Sequence, residues 1–418
     1  MINEQNFCIN PWSEIRILPD GRLNWCHYSD YRSNTDYIQN IDLDTYFNGT
    51  NVKKIRNQLL QGVDVAECHQ CYNDETKIIY SYRRRRNIQM AIFPLTHFKK
   101  SLAESYIQKR INESDIKPYF YNIALGNICN LACVMCTPLY SSRLATDFKR
   151  IDLINNDQPS LVDWTQDDIN WKKFVDHIDS NKNIVCVHFQ GGEPFHHARF
   201  QEFLQHCIDT KHVDFHLTMV TNGTIFKEEL IKLFRHFKSC QIEISVETMT
   251  PVNQYIRYPV NQEQLVNNIK KFLACRTKQL SVVLRTVPQL LSVLDYVSLL
   301  EFCLEHSICV DTNIIDFPEY LKPSVWPKHI RETALERLEQ FKSKLNIDSS
   351  YVELNLRNQH QVPLNLKQNA DMVIGALNED TQNREELQKQ AQEYFKKIDN
   401  LRKLQITDYF PEFSNING

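Results

Sequence analysis

Between residues 119 and 315 the chain alternates short apolar runs with longer stretches of helical spacing. Six runs read as strands: "YFYNIAL" from Tyr119, "IVCVHFQ" from Ile184, "FHLTMVT" from Phe215, "CQIEISV" from Cys240, "LSVVLRTV" from Leu280 and "CVDTNII" from Cys309. Helix-like stretches lie between them. This alternation predicts an α/β fold of βα units around a parallel sheet or barrel. Ahead of it, "EIRILPDGRLNWC" reads as a hairpin turning at Asp20-Gly21, and "TYFNGTNVKKIRNQLLQG" as a helix. The expected organisation is a first unit over 1–95, a charged helical connector over 96–118, the strand–helix region over 119–317 and a helical extension over 318–418. That extension ends in "EELQKQAQEYFKKIDNLRKL". No internal repeat or low-complexity tract interrupts the pattern.

Composition narrows the class. The 418 residues are 42% hydrophobic and 24% charged, ordinary globular values. A formal net charge of −3 does not fit a general nucleic-acid binder. The start, "MINEQNFCINPWSEIRILPDG", lacks the basic-then-apolar pattern of a secretory signal, and no window has the apolar length of a membrane span. The expectation is a soluble, cytoplasmic protein with neither nucleic acid nor membrane as partner.

Cysteine changes the picture most. There are 13, a high count for a reducing compartment, where clustered thiols point to metal or catalysis rather than disulfides. Seven fall in two groups: Cys8, Cys26, Cys68 and Cys71, then Cys129, Cys133 and Cys136. The scattered remainder (Cys186, Cys207, Cys240, Cys275, Cys303, Cys309) suit small buried hydrophobes.

The second group sits in "GNICNLACVMCTP", directly after the first predicted barrel strand. Loops at the carboxyl ends of strands are where α/β barrels put their chemistry. Thiolates hold iron–sulfur clusters, and full cubane ligation takes four. Three would leave one iron open to an outside ligand. A zinc site completed by a remote residue is the alternative. Other polar groups fall at the same strand ends. "HFQGGEP" brings Gly191, Gly192 and Glu193; "MVTNGT" brings Asn222; "EISVET" brings Ser245 and Glu247; "NQYIRYP" brings Arg257. Paired glycines admit close approach of a ligand to the backbone. A carboxylate suits an ammonium, and a guanidinium suits a carboxylate. The set fits an amino-acid ligand carrying a hydroxylated sugar, although Asn222-Gly223 by itself is an ordinary turn pair.

In this order the triplet, "GGEP", "TNGT" and "ISVE" resemble the radical S-adenosylmethionine (SAM) enzymes, over roughly residues 119–315. The resemblance implies a partial (β/α)6 TIM-like barrel. It implies a [4Fe–4S] cluster on Cys129, Cys133 and Cys136, whose open iron binds the amino and carboxylate groups of SAM. Reductive cleavage would then give methionine and a 5′-deoxyadenosyl radical, which takes a hydrogen atom from a substrate. By the same resemblance Gly191, Gly192 and Glu193 meet the methionine amino group. Asn222, Ser245 and Glu247 meet the ribose region, and Arg257 meets the carboxylate.

The four early cysteines make a tetrahedral set of two hairpin residues and a CxxC pair. Zinc or an iron–sulfur cluster fits that set equally well. The spacing of Cys8, Gly21, Cys26 and the Cys68–Cys71 pair resembles the twitch domain, a shortened SPASM domain carrying one auxiliary [4Fe–4S] cluster. Here it precedes the barrel, as in a less-described set of twitch-bearing radical SAM proteins. With all four ligands supplied, such a cluster suits electron relay. Relatives of this kind modify ribosomally made peptides, mature sulfatases or oxidise an aminocyclitol alcohol. The expectation is an oxidoreductase-type enzyme acting on a peptide or protein, with a flavodoxin or ferredoxin as electron donor. The alternatives are a dehydrogenase of a small alcohol or sugar-like metabolite and a non-catalytic iron–sulfur or zinc protein. Arg83 to Arg86 read as a solvated connector face, His196 and His197 as cap or surface residues, and Asp316 and Glu319 as loop carboxylates. No catalytic acid or base is assigned.

Overall fold

The computed structural model describes residues 6–29, 35–76, 81–84, 86–87, 116–346 and 362–416. Almost all of the expected connector over 96–118 lies outside them. The fold is mixed α/β. Eight strands form one sheet in the order β2-β1-β3-β4-β5-β6-β7-β8. They are β1 (Glu14–Ile17), β2 (Leu23–Asn24), β3 (Phe120–Ile123), β4 (Cys186–Phe189), β5 (His216–Thr221), β6 (Ser239–Ser245), β7 (Leu280–Thr286) and β8 (Val310–Thr312). Each of the six strands expected between 119 and 315 forms, and helices separate them. The pairs β1–β3, β3–β4, β4–β5 and β7–β8 are parallel, and β1–β2 is antiparallel. β3 and β4 are buried at every position, as a parallel strand covered on both faces requires. β7 instead alternates, burying Leu280, Val282, Leu284 and Thr286.

The chain divides into two compact units. The first takes residues 1–128, 161–219 and 229–240. Its N-terminal hairpin turns where the sequence places the turn. Gly21 has φ +89°, and Leu18 and Arg22 close the turn with a hydrogen bond of 2.9 Å. β1 then lies parallel to β3, with Glu14 opposite Phe120 and Ile17 opposite Ile123. The helix expected from Thr45 is broken. Leu43–Phe47 and Thr50–Gln61 are separate, because Asn48 ends the first and Gly49 is the N-cap of the second. An aromatic cluster of Trp164, Trp171, Phe174, Phe189 and Phe203 fills the core.

The arginine run departs in part from its expected solvated face. Arg84 is exposed as expected, and Arg85 lies outside the described residues. Arg83 and Arg86 are buried, and each has a carboxylate partner, Glu75 for Arg83 and Glu14 for Arg86. Arg86 also lies 4.1 Å from the centre of the Phe120 ring. A guanidinium held between a fully buried carboxylate and an aromatic face is structural rather than a docking surface. Arg86→Met is therefore expected to strand Glu14 and cost about 3–5 kcal/mol of unfolding free energy. Urea denaturation of wild type and variant measures it.

The second unit takes residues 129–160, 220–228 and 241–418. The helical extension appears as expected, with helices at Lys328–Ser343, Val362–Leu377, Arg384–Arg402 and Ile406–Tyr409. Among the described residues no helix is long and apolar enough to cross a membrane.

Candidate active site

The three-cysteine loop belongs to the second unit and follows β3 in the chain. Cys133 is buried, and Cys129 and Cys136 are half-buried. The loop is pinned by backbone bonds: Ala132 N–H donates to the Tyr258 carbonyl at 2.7 Å and Val134 N–H to the Ile256 carbonyl at 2.9 Å. The Ser141 hydroxyl donates to the Leu131 carbonyl at 2.6 Å. The segment carrying Arg257 thus runs beside the segment carrying Cys133.

Two of the sulfurs receive side-chain N–H groups. Asn222 Nδ2 lies 3.9 Å from Cys129 Sγ, and Arg257 Nη1 lies 3.8 Å from Cys133 Sγ. Asn222 is also the turn residue its sequence context implied, since its Oδ1 accepts from Thr224 N–H at 3.0 Å. Its Nδ2 donates to Asn130 Oδ1 at 2.7 Å, which ties it to the residue after Cys129. Arg257 is aimed by Glu247. Its Nε and Nη2 both reach Glu247 Oε1, at 3.0 and 2.5 Å. The other oxygen of Glu247 accepts from the Thr286 hydroxyl at 2.9 Å and from Val287 N–H at 2.8 Å. The carboxylate is wholly buried and both its oxygens are engaged by protein donors. Ser245 ends β6 and is buried.

Burial pushes the Cys133 thiol up, and the Arg257 charge pulls it back part of the way. Burial also raises Cys136, assisted by repulsion from Cys133 and Cys129. A bound cation would displace the protons of these thiols, and Asn222 and Arg257 already place N–H groups beside two of the sulfurs.

Gly191, Gly192 and Glu193 lie in the first unit, after β4. Gly191 and Gly192 have φ +80° and +57°. A Cβ at Gly192 would sit 2.6 Å from the Ile128 carbonyl oxygen and 3.0 Å from that of Gly126. Glu193 N–H donates to the same Ile128 carbonyl at 2.7 Å. Its buried carboxylate accepts from Phe195 N–H at 3.1 Å. The glycines therefore let this loop lie against the backbone that leads into Cys129. Gly192→Ala combines a left-handed backbone with a main-chain clash, and a loss of about 2 kcal/mol or more is expected. The check is urea denaturation beside Ala198→Gly as an exposed helix control.

His196 is exposed as expected, whereas His197 is buried at the helix N-cap with Nε2 3.2 Å from Asp163 Oδ2. Asp316 and Glu319 are exposed after β8.

Cys8, Cys26, Cys68 and Cys71 are all buried in the first unit. Burial drives the Cys8 thiol well up, with further repulsion from Cys26, Cys68 and Cys71. Cys68 and Cys71 are each pushed up to about 12, first by burial and then by repulsion from neighbours that include Cys26. The four positions, spread over more than sixty residues of sequence, thus sense one another's charge. Asn10 Nδ2 points at Cys26 Sγ across 4.0 Å. Among the described residues no three or more Cys, His, Asp or Glu side chains close around one point at metal-ligand distances. The donor chemistry of both groups suits a thiophilic metal.

Residues 123–289 match the family model described as the Radical SAM superfamily. This stretch is a radical SAM domain. It contains the cysteine triplet, the glycine loop, Asn222, Ser245, Glu247 and Arg257, and leaves residues 1–122 and 290–418 outside. No curated protein matches the chain. Among solved structures it is similar to "Native anSMEcpe with bound AdoMet", at 15% identity and TM-score 0.40, covering 54% of this chain and 61% of that one. It is also similar to SuiB of Streptococcus suis bound to S-adenosylmethionine, at 15% identity and TM-score 0.36, covering 86% and 76%.

Sequence reasoning missed two residues that hold the cysteine loop of the radical SAM domain. Both lie in the Arg384–Arg402 helix. The Tyr394 hydroxyl donates to the Val134 carbonyl at 2.8 Å, and Arg402 Nη2 to the Ala132 carbonyl at 2.6 Å. Their only sequence signal is a polar tip on the buried side of an amphipathic helix.

Proposed function

We propose that the chain is a radical SAM enzyme with a second, auxiliary [4Fe–4S] cluster, acting in the cytoplasm on a ribosomally made peptide or protein. The observation that carries the reading is the loop of Cys129, Cys133 and Cys136 inside a radical SAM domain, with Asn222 and Arg257 donating toward two of its sulfurs. When bound there, a [4Fe–4S] cluster supplies the electron that cleaves SAM to methionine and a 5′-deoxyadenosyl radical, which removes a hydrogen atom from the substrate. The three thiolates of Cys129, Cys133 and Cys136 would hold such a cluster and leave it one position open to the amino and carboxylate groups of SAM. Gly191 and Gly192 supply backbone without side chains, and Glu193 a carboxylate for the ammonium group. Asn222 and Ser245 serve the ribose. Arg257 serves the SAM carboxylate, and Glu247 holds Arg257 in place, since both of its oxygens are already engaged.

Cys8, Cys26, Cys68 and Cys71 provide a complete four-thiolate set for the auxiliary cluster. A cluster held there would supply an acceptor for the second electron of a net two-electron oxidation, the first leaving with the hydrogen atom. A flavodoxin or ferredoxin is the proposed electron donor. The peptide assignment rests on the prevalence of peptide modification among twitch-bearing radical SAM enzymes.

The test uses the anaerobically reconstituted enzyme with SAM and a reductant. Extract from the source cell is separated by ultrafiltration, and each fraction is assayed for stimulation of 5′-deoxyadenosine formation. Stimulation by the retained macromolecules is expected. Stimulation by the filtrate alone would overturn the peptide assignment in favour of a small-metabolite dehydrogenase.

A further inference from the structure

The Arg384–Arg402 helix lies outside the radical SAM domain, yet its buried face reaches the cysteine loop. Arg402 is the centre of that contact. Its side chain is 2% exposed. Nη2 donates to the Ala132 carbonyl at 2.6 Å, one residue before Cys133, and lies 3.3 Å from Asp147 Oδ2. The guanidinium carbon is 4.6 Å from the centre of the Tyr258 ring. Arg402 therefore touches the cysteine loop, the Ser142–Arg150 helix that follows it, and the segment to which the loop is hydrogen-bonded. Its Nε and Nη1 are buried without a hydrogen-bond partner among the described residues. Leaving such donors unpaired costs stability, and a fold keeps them only where something offsets the cost. Just over two turns away on the same helix, Tyr394 grips the next alternate carbonyl of the loop, Val134, at 2.8 Å.

We infer that Arg402 is a positioning residue for the cysteine loop, and that its cation raises the reduction potential of the cluster the loop holds. This rests on the iron–sulfur reading of the triplet. The sign follows from electrostatics. Reduction adds negative charge, which a buried cation in a low-dielectric setting stabilises. Removing Arg402 withdraws that cation and also leaves Asp147 buried and unpaired, and both changes disfavour the added electron. Tyr394 contributes order without charge.

Two measurements separate the parts of the claim. In the metal-free full-length chain, amide hydrogen exchange over residues 131–136 is expected to be about tenfold faster in Arg402→Met, the loss of one charge-assisted hydrogen bond. Tyr394→Phe should raise it by a smaller factor. In the reconstituted protein, redox titration followed by electron paramagnetic resonance should give a lower potential for Arg402→Met. Arg402→Lys should return it toward wild type, and Tyr394→Phe should leave it unchanged. A double variant, Arg402→Met with Asp147→Asn, guards against misfolding from the stranded carboxylate, and its potential should also fall below wild type. An unchanged potential in Arg402→Met and in the double variant would overturn the electrostatic role. Unchanged exchange would overturn the positioning role. Wild-type protein that takes up no iron at the triplet would instead refute the cluster reading, and the exchange experiment would still decide whether Arg402 orders the loop.

Discussion

Cys133→Ala is expected to abolish 5′-deoxyadenosine formation, reducing it to the level seen without enzyme, and, if both proposed clusters are present, to lower the bound iron from about eight to about four per chain. The argument is one of ligand count. The loop offers three thiols and the reading leaves no spare, because the fourth iron is reserved for SAM. Cys133 is the most buried of the three and has the Arg257 guanidinium 3.8 Å from its sulfur. Without it that donor faces a methyl group, and two thiolates remain for a site that needs three. Loss of a small buried side chain alone costs only about 1 kcal/mol, so the variant should stay folded. Cys207→Ala is the control, being wholly buried in the Ala198–Asp209 helix away from either cysteine group in sequence. It should lose stability of the same order and keep all its iron. Iron and sulfide analysis with a thermal melt reads both.

Cys71→Ala is expected to remove the other half of the iron and to separate SAM cleavage from turnover. Cys71 is one of four buried thiols in the first unit, and burial with repulsion from neighbouring groups raises it to about 12. A metal cation at that site is what would let these thiols ionise. The triplet belongs to the other unit, so its cluster should form and SAM should still be cleaved when Cys71 is replaced. Oxidised product should fall by a hundredfold or more, because the electron left on the substrate has lost its acceptor. An iron content unchanged from wild type would contradict the auxiliary cluster. Zinc in the anaerobically prepared wild type, in place of iron at this site, would assign the four thiols to a structural metal.

Much of the fold could be read from local pattern. The six strands from Phe120 to Thr312 are short apolar runs bounded by turns; β3 and β4 are buried at every position, and the others bury most or alternate positions. The hairpin at Gly21 was legible because its turn needs a positive φ that glycine supplies. The helix break at Asn48-Gly49 carried its signal in that dipeptide, but the apolar spacing on either side continued through it. Partners distant in sequence were illegible. A run of four arginines looks solvated until Glu14 and Glu75 are seen to bury two of them. β1 pairs in parallel with β3, a choice that no local periodicity encodes.

The candidate site divides along the same line. Cys129, Cys133 and Cys136, the glycine loop and the strand-end polar residues were legible because their spacing is local. Glu247 and Arg257 were found, but their pairing was not, since a strand end and a later helix end had to be brought together. Tyr394 and Arg402 reach loop carbonyls 260 and 270 positions earlier, and nothing in their own helix announces that contact.

The most direct test is 5′-deoxyadenosine formation by the full-length wild-type chain, reconstituted anaerobically with iron and sulfide and given SAM and a low-potential reductant. The account predicts 5′-deoxyadenosine and methionine in equal amounts, formed with wild type and absent with Cys133→Ala. Iron-loaded wild type that forms neither would contradict it and leave a metal-binding protein without radical chemistry.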